Sequence, residues 1–347
     1  MNRWFTARRY LPAVAAGALI ALGSGAVSAQ TRTPIPAPAG DIVGVGNFGH
    51  IVEDLDRSLA FYHDVLGLEV VAKTDFSANP GIQEMGNTPG AESRIAVLKV
   101  PGLALGIELI EYRGINRVPQ HPSFVDPGAA NMAFRVLDLD RLFPSIRDFP
   151  GVKILTGGGR PVTIETPNGT LHALFVQDPD GFVVEMLDSP APGEEKTIGP
   201  VISGAAFEPA VKDSEASVRF YNDLLGFNFK LGQAFNTNPD MAATAGAPGG
   251  KFRQSQALIP GTTVPMTLIE FGNVERKMHS ARTQDPGTTV LQLIVKDVAG
   301  LTTRLKAAGY PPLAPSGKPV EVQKGLDIAI VRDPNGLLLE LVQRSGR

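Results

Sequence analysis

The stretch GNFGHIVEDLDRSLAFYHDVLGL, Gly46–Leu68, reads as a strand running into a helix. Residues 44–52 alternate as a half-buried strand does, and Leu55, Leu59, Tyr62 and Leu66 fall on one helical face. Gly67 follows where a left-handed C-cap is expected. Two of the chain's five histidines, His50 and His63, lie here, and a histidine at the head of a strand raises the question of a metal ligand. Strand parity answers part of it: residues 47, 49 and 51 share one face, and His50 points to the other.

The same pattern returns later in the chain. RSLAFYHDVLGLEV (Arg57–Val70) matches ASVRFYNDLLGFNF (Ala216–Phe229), with the Phe-Tyr pairs at 61–62 and 220–221, an offset of 159 residues. FSANP from Phe76 and FNTNP from Phe235 keep that offset, as do VDPG from Val125 and QDPG from Gln284. DPDGFVVEML from Asp178 matches DPNGLLLELV from Asp333 at an offset of 155. Self-similarity on this scale means two copies of one unit. Within copy one a β-α-β-β-β order runs from residue 44 to Tyr112, and a second begins at NMAFRVLDLDRLFPSI with a helix over Leu139–Arg147. The expected class is α+β, in two tandem domains at residues 44–188 and 200–343 joined by a linker at 189–199.

The chain has 347 residues, 43% of them apolar and 19% charged, within the globular range. A net charge of −3 carries no basic excess, so nucleic acid is not an expected partner. The absence of cysteine excludes disulfides and thiolate chemistry. Arg3, Arg8 and Arg9 precede an apolar run of small residues, and Val27 and Ala29 sit where a signal peptidase reads. Residues 1–29 are therefore expected to be a signal peptide, followed by a Pro-rich tether at 30–43. The expected location is periplasmic or secreted, with no membrane partner after cleavage. Removing three arginines and no acid takes the charge from −3 to −6.

HIVEDLDRSLAFYHDVLGL, the DPG before a strand and VQDPDGFVVEML together resemble the vicinal oxygen chelate superfamily. That group takes in glyoxalase I, bleomycin-resistance proteins, fosfomycin-resistance enzymes, methylmalonyl-CoA epimerases and extradiol dioxygenases. The resemblance implies that each copy folds as two βαβββ modules curling around one cavity, with ligands on the first and last strands of each module. Counting fourteen residues back from Phe61 gives Asn47, and the corresponding strands offer Glu108, Asn131 and Glu185. Copy two offers Ala206, Glu270, Val290 with Gln292 beyond it, and Glu340. Copy one is thus the expected functional site and copy two the scaffold.

No histidine falls on a mapped position, which disfavours an extradiol dioxygenase, whose iron takes two imidazoles and a carboxylate. Asn47, Glu108, Asn131 and Glu185 make an oxygen-only set that suits one hard divalent cation such as Mg, Mn or Ca. Without a cation, two acids in an apolar frame hold a proton between them, and Glu108 and Glu185 become the expected catalytic base and acid. Asn47, Asn131, Arg94 and Phe175 are the expected ligand contacts, for a small carbonyl substrate. The alternative is a metal-free protein that sequesters a small molecule, as bleomycin-resistance members do. The segments SANPGIQEMGNTPGAE and NTNPDMAATAGAPGGK are too long for hairpins and are expected to form lids carrying Met85 and Met241, with Phe76 and Phe235 closing beside them.

Overall fold

Four modules, two per copy, build two sheets, and each sheet draws one module from each copy. A computed structural model describes residues 40–166, 169–188 and 202–344. The signal peptide, most of the tether and the linker at 189–199 lie outside the described residues. Module one holds β1 (Ile42–Val52), helix α1 (Leu55–Leu59, continued as a π-turn over Ala60–Val65), β2 (Glu69–Lys73), α2 (Pro80–Gly86), β3 (Glu92–Lys99) and β4 (Gly106–Arg113). β1 thus begins inside the segment expected to be tether. Module two holds β5 (Ala130–Val136), α3 (Leu139–Arg147), β6 (Lys153–Ile154), β7 (Val162–Thr166), β8 (Gly169–Gln177) and β9 (Val183–Asp188). Module three holds β10 (Ile202–Pro209), α4 (Ser214–Arg219, with its π-turn over Phe220–Leu224), α5 (Pro239–Thr244), β11 (Lys251–Leu258) and β12 (Pro265–Gly272). Module four holds β13 (Thr289–Val295), α6 (Val298–Ala307), β14 (Val320–Gln323), β15 (Leu326–Arg332) and β16 (Leu338–Arg344).

The first sheet runs β14-β15-β16-β13-β1-β4-β3-β2, joining module four to module one through the antiparallel β1–β13 pair. The second runs β11-β12-β10-β5-β9-β8-β6, joining modules three and two through β10–β5. The expectation that each copy would enclose its own cavity is therefore corrected. The first strand of every module is a short, mostly apolar run leading into a helix, and such a repeat does not specify which first strands pair.

Back faces of the two sheets meet in one core, where Phe48 of β1 lies 5.1 Å from Phe207 of β10 between ring centroids. The helices add Leu55, Phe61, Tyr62, Leu139, Ile146, Tyr221, Leu301 and Leu305 to it. Each buried aliphatic or aromatic side chain contributes about 1.5–3 kcal/mol, so this core dominates the stability. The opposite, concave faces form two separate cups, each with its own apolar cluster.

Modules of one copy stay attached through a buried polar lock on the back face. Asp178, in the turn before β9, accepts backbone N–H bonds from Asp180 and Phe182 at 2.9 Å on one oxygen. Its other oxygen takes the Tyr62 hydroxyl at 2.8 Å and lies 2.9 Å from His50 Nε2. Asp180 is held by Ser58 at 2.6 Å, Arg57 at 2.7 Å and the Glu53 N–H at 2.8 Å. His50, Asp178 and Asp180 are close enough to resemble a metal site, but their oxygens are already saturated by protein donors. Burial alone would lower the His50 pKa; the Asp178 charge and hydrogen bond, with Asp180 behind them, outweigh it and leave the pKa raised.

Copy two repeats the lock with less charge. Tyr221 donates to Asp333 at 3.1 Å, and Asn335 takes the Lys212 N–H at 2.8 Å. Asn335 stands where copy one has Asp180, and Pro209 and Ala216 stand where it has His50 and Arg57, so copy two has fewer charges of both signs here. Replacing His50 with alanine leaves a buried carboxylate uncompensated, with an expected loss of about 3–5 kcal/mol in urea unfolding. Because the His50 pKa is raised above 6.5, the gap between wild type and His50→Ala is widest below that pH and narrows as pH rises through the folded value. A gap independent of pH would mean that His50 is neutral in the fold.

Candidate active site in the first cup

In the first cup, β1 and β4 of copy one face β13 and β16 of copy two. A β-bulge falls on β1 between Val45 and Phe48, where three residue steps oppose two on β13. It frees the Asn47 N–H from the ladder, and that group donates instead to Gln292 Oε1 at 2.9 Å. With its oxygen fixed, the Gln292 amide can only turn its nitrogen toward the acids. Nε2 donates to Glu108 Oε2 at short range and to Glu340 Oε1 at 3.4 Å. Glu340 stands opposite Gln292 in the parallel β13–β16 register.

Room for this arrangement comes from two glycines. A Cβ on Gly106 would lie 2.6 Å from Asn47 Oδ1 and 2.9 Å from the Leu98 carbonyl. A Cβ on Gly46 would lie 2.7 Å from Gln292 Oε1. Around the acids the walls are aliphatic: Ile51, Val290, Ile328, Ile330 and Leu338, with Tyr112 beside them. Met85 of α2 closes over them, as expected for a lid. Phe76 does not join it; its ring sits under the guanidinium groups of Arg94 and Arg113.

The two carboxyls interact strongly. Burial pushes Glu340 up to about 8, with the Glu108 charge adding to the rise and the Gln292 amide opposing it. Burial also raises Glu108, and hydrogen bonding from Gln292 and Asn47 pulls it back. Such a pair carries one proton between its members near neutral pH. The shorter amide contact favours Glu108 as the charged member and Glu340 as the protonated one.

Asn131 and Glu185 lie elsewhere, in the second cup on the other sheet, so the expected quartet of Asn47, Glu108, Asn131 and Glu185 does not converge. There β5 and β9 of copy one meet β10 of copy two, and Asn131 Nδ2 donates to Glu185 Oε2 at 3.1 Å. Asn131 is in register with Glu208, which the count from Phe220 missed by landing two residues short, on Ala206. Phe175 faces this second cup, cross-strand from Glu185. Glu270 does not face it. Glu270 is the counterpart of Glu111 at offset 159, and each binds an arginine and the first N–H of a helix: Glu111 with Arg94 and Leu55, Glu270 with Arg253 and Ser214. The true counterpart of Glu108 is Thr267. Arg94, expected as a ligand contact, is thereby committed to Glu111 at 2.8 Å and to Asp56 at 3.0 Å on the helix side of the sheet.

One cation held by the expected quartet is excluded by this separation, because its four ligands stand in two cups. Nor do the first cup's own donors fit a resident metal. The Gln292 nitrogen stands between the two carboxylates and donates to both, and Gln292 Oε1 is taken by a backbone N–H. In the second cup the oxygens of Asn131, Glu185 and Glu208 are hard donors.

The family model described as Glyoxalase/Bleomycin resistance protein/Dioxygenase superfamily matches residues 44–186 and 206–341. A 2-epi-5-epi-valiolone epimerase from Actinomyces sp. is 29% identical over 160 residues, covering 45% of this chain and 85% of that protein. A probable lactoylglutathione lyase from Synechocystis is 31% identical over 141 residues, covering 40% of this chain and 89% of that protein. Among solved structures, glyoxalase I from Zea mays aligns with a TM-score of 0.53 at 20% identity, over 88% of this chain and 92% of that one. A putative dioxygenase from Bacillus subtilis aligns at 0.54 and 14% identity, over 89% and 87%. Likenesses at these identities speak to the fold. With the family model matched twice and covering most of the described residues, the chain belongs to the glyoxalase/bleomycin-resistance/dioxygenase superfamily.

Proposed function

We propose that the first cup transfers a proton on a small enolisable carbonyl compound, in isomerase- or lyase-type chemistry. The observation that carries this reading is the Glu108–Glu340 pair, bridged by Gln292 and enclosed by aliphatic walls, with Glu340 near pH 8. A carboxylate and a carboxylic acid side by side near neutrality are what the reaction needs. Glu108 takes the proton from the carbon next to the carbonyl, and the electron pair of that C–H bond moves through the new C=C bond onto the carbonyl oxygen. Glu340 delivers its proton to that oxygen, giving a neutral enol. Collapse of the enol returns both protons, the carbon-bound one to the opposite face or to the adjacent carbon. Two relatives support the reading, one named a 2-epi-5-epi-valiolone epimerase and the other a probable lactoylglutathione lyase.

The proposal predicts deuterium wash-in at the α-carbon of 2-hydroxy ketones in D₂O, followed by proton NMR over a panel of linear and cyclic members. Exchange is fast near neutral pH, falls above about pH 8 as Glu340 loses its proton, and falls again at acid pH as Glu108, its carboxyl raised by burial, takes one up. Glu108→Gln lowers the rate by roughly 10²–10⁴-fold, the usual contribution of a positioned base. Full exchange in Glu108→Gln, or a rate that climbs steadily through pH 9, would remove the proposal.

We also propose that the protein works after export, supported by the arginine-led apolar segment and the small residues Val27 and Ala29. N-terminal sequencing of protein recovered from the producing cell's periplasm or medium should begin at Gln30. Recovery of the intact N-terminus from the cytoplasm would contradict it.

A further inference from the structure

One end of each cup is built from the same repeat positions, yet the residues there differ in kind. At the offset of 159, three phenylalanines of the second cup answer to hydroxyl-bearing residues in the first. Phe271 of β12 answers to Tyr112 of β4, Phe252 of β11 to Ser93 of β3, and Phe124 to Thr283. Ala247, in the same apolar cluster, answers to Thr88. The three rings are contiguous: between centroids Phe271 lies 5.4 Å from Phe124 and 6.3 Å from Phe252. Four hydroxyls in the first cup thus take positions that the second cup fills with carbon.

The strands fix where they stand. Glu108, Ile110 and Tyr112 alternate onto one face of β4, and Ser93 is opposite Tyr112 in the β3–β4 register, so both share the cup face with the acids. Thr88 and Thr283 stand at the end of α2. Their hydroxyls each lie 3.5 Å from the place a Cβ on Gly86 would take, and Thr283 Oγ1 donates to the Gly86 carbonyl at 2.6 Å. All four residues are buried, none more than 7% exposed. Buried hydroxyls ordinarily find a partner, as Tyr62 and Tyr221 do on Asp178 and Asp333. Among the described residues Thr88 Oγ1 has none. The hydroxyls of Tyr112 and Ser93 bond to no described residue either; Ser93 pairs with Ser77 through its backbone alone. Burial, followed by the charges of Glu340 and Glu108, raises the Tyr112 pKa, so the phenol keeps its proton and remains a donor.

A hydroxyl both donates and accepts, and the group that matches several of them is another set of hydroxyls. An anion would meet the charge of the Glu108–Glu340 pair. An apolar group would leave the hydroxyls unmatched, at about 1–3 kcal/mol for each buried one. We propose that the first cup takes a polyhydroxylated carbonyl compound, with its reacting carbon at Glu108 and Glu340 and its further hydroxyl groups on Tyr112, Ser93 and Thr88. This rests on the proton-transfer reading of the same cup and names its substrate class. Tyr112 and Ser93 set specificity and touch no reacting atom. Met85 closes over the cup, so the substrate enters as α2 moves away from module four. Two contacts hold the helix there: Asn79 Nδ2 donates to the Val322 carbonyl at 3.2 Å, and Glu84 accepts the Ser316 N–H at 3.1 Å.

Two ketones that differ only in their further hydroxyls test the proposal: 1,3,4-trihydroxybutan-2-one and 1-hydroxybutan-2-one. Calorimetric titration of the full chain reads binding, and α-carbon exchange in D₂O reads proton transfer. The trihydroxy ketone should bind at least about tenfold more tightly, because its analogue leaves the buried hydroxyls unpaired. In the double variant Tyr112→Phe, Ser93→Ala that ratio should shrink to about threefold or less. Equal affinities in the wild type, binding of neither ketone, or a ratio that survives the double variant would each overturn the proposal. Exchange of both ketones with no preference in binding removes the hydroxyl subsite and leaves the proton-transfer reading standing. Preferential binding without exchange supports the subsite and removes the proton-transfer reading. The wild-type ratio decides the matter even if the double variant fails to fold.

Discussion

The antiparallel pairing of β1 with β13, mirrored by β10 with β5, is the constraint on which the rest depends. A first strand has helices against its back face and a curled half-sheet on its outer side. Its remaining edge must find a partner, or it presents a row of unpaired backbone groups. In this chain the partner comes from the other copy. Two cups result, and every polar group in either one is positioned by strands from both halves of the molecule. The β1 bulge then acts at short range: by releasing one N–H to Gln292, it fixes the orientation of an amide supplied by copy two between acids of copy one and copy two.

Sharing the cups in this way lets the halves diverge together. A change on a copy-one strand is felt by a copy-two strand in the same cup. The first cup carries an amide between its acids and aliphatic walls. The second carries Glu208, Glu185 and Asn131 buried together, beside aromatic walls. On the back face the lock shows the same pairing of differences: copy two has neither His50 nor Arg57 counterparts as cations, and it has Asn335 in place of Asp180. Buried charge tolerates such changes only when compensated, which accounts for their occurring as a set.

Much of the fold was legible in the sequence because its signals are local. The Phe-Tyr helices, the DPDG and DPNG turns and the lid segments lie where periodicity and turn residues put them. Parity along β1 correctly turned His50 to the back face and Asn47 to the cup. The pairing of modules was not legible, since β1 and β10 carry equivalent patterns and nothing local distinguishes β5 from β13 as a partner. That one ambiguity scattered the expected quartet over two sites. Gln292 was visible as a polar residue in an apolar strand, but its role appears only with β1 beside it. Glu270 stands out in the sequence as the acid of the strand MTLIEF; the matched pairs Arg94–Glu111 and Arg253–Glu270 place it on the helix side. Glu208 was missed because family spacing stopped at Ala206, although an acid in AAFEPA followed two residues later on the same face.

The shared sheets are tested most directly by a disulfide across β1 and β13. The chain has no cysteine, and a Cβ built on Gly44 lies 3.6 Å from the Ile294 Cβ, within disulfide range. The double variant Gly44→Cys, Ile294→Cys should close an intramolecular bond in full under mild oxidation, read by intact mass and by thiol titration, with the fold retained by circular dichroism. Persistent free thiols in a folded monomer would contradict the pairing of copy one with copy two on which both cups rest.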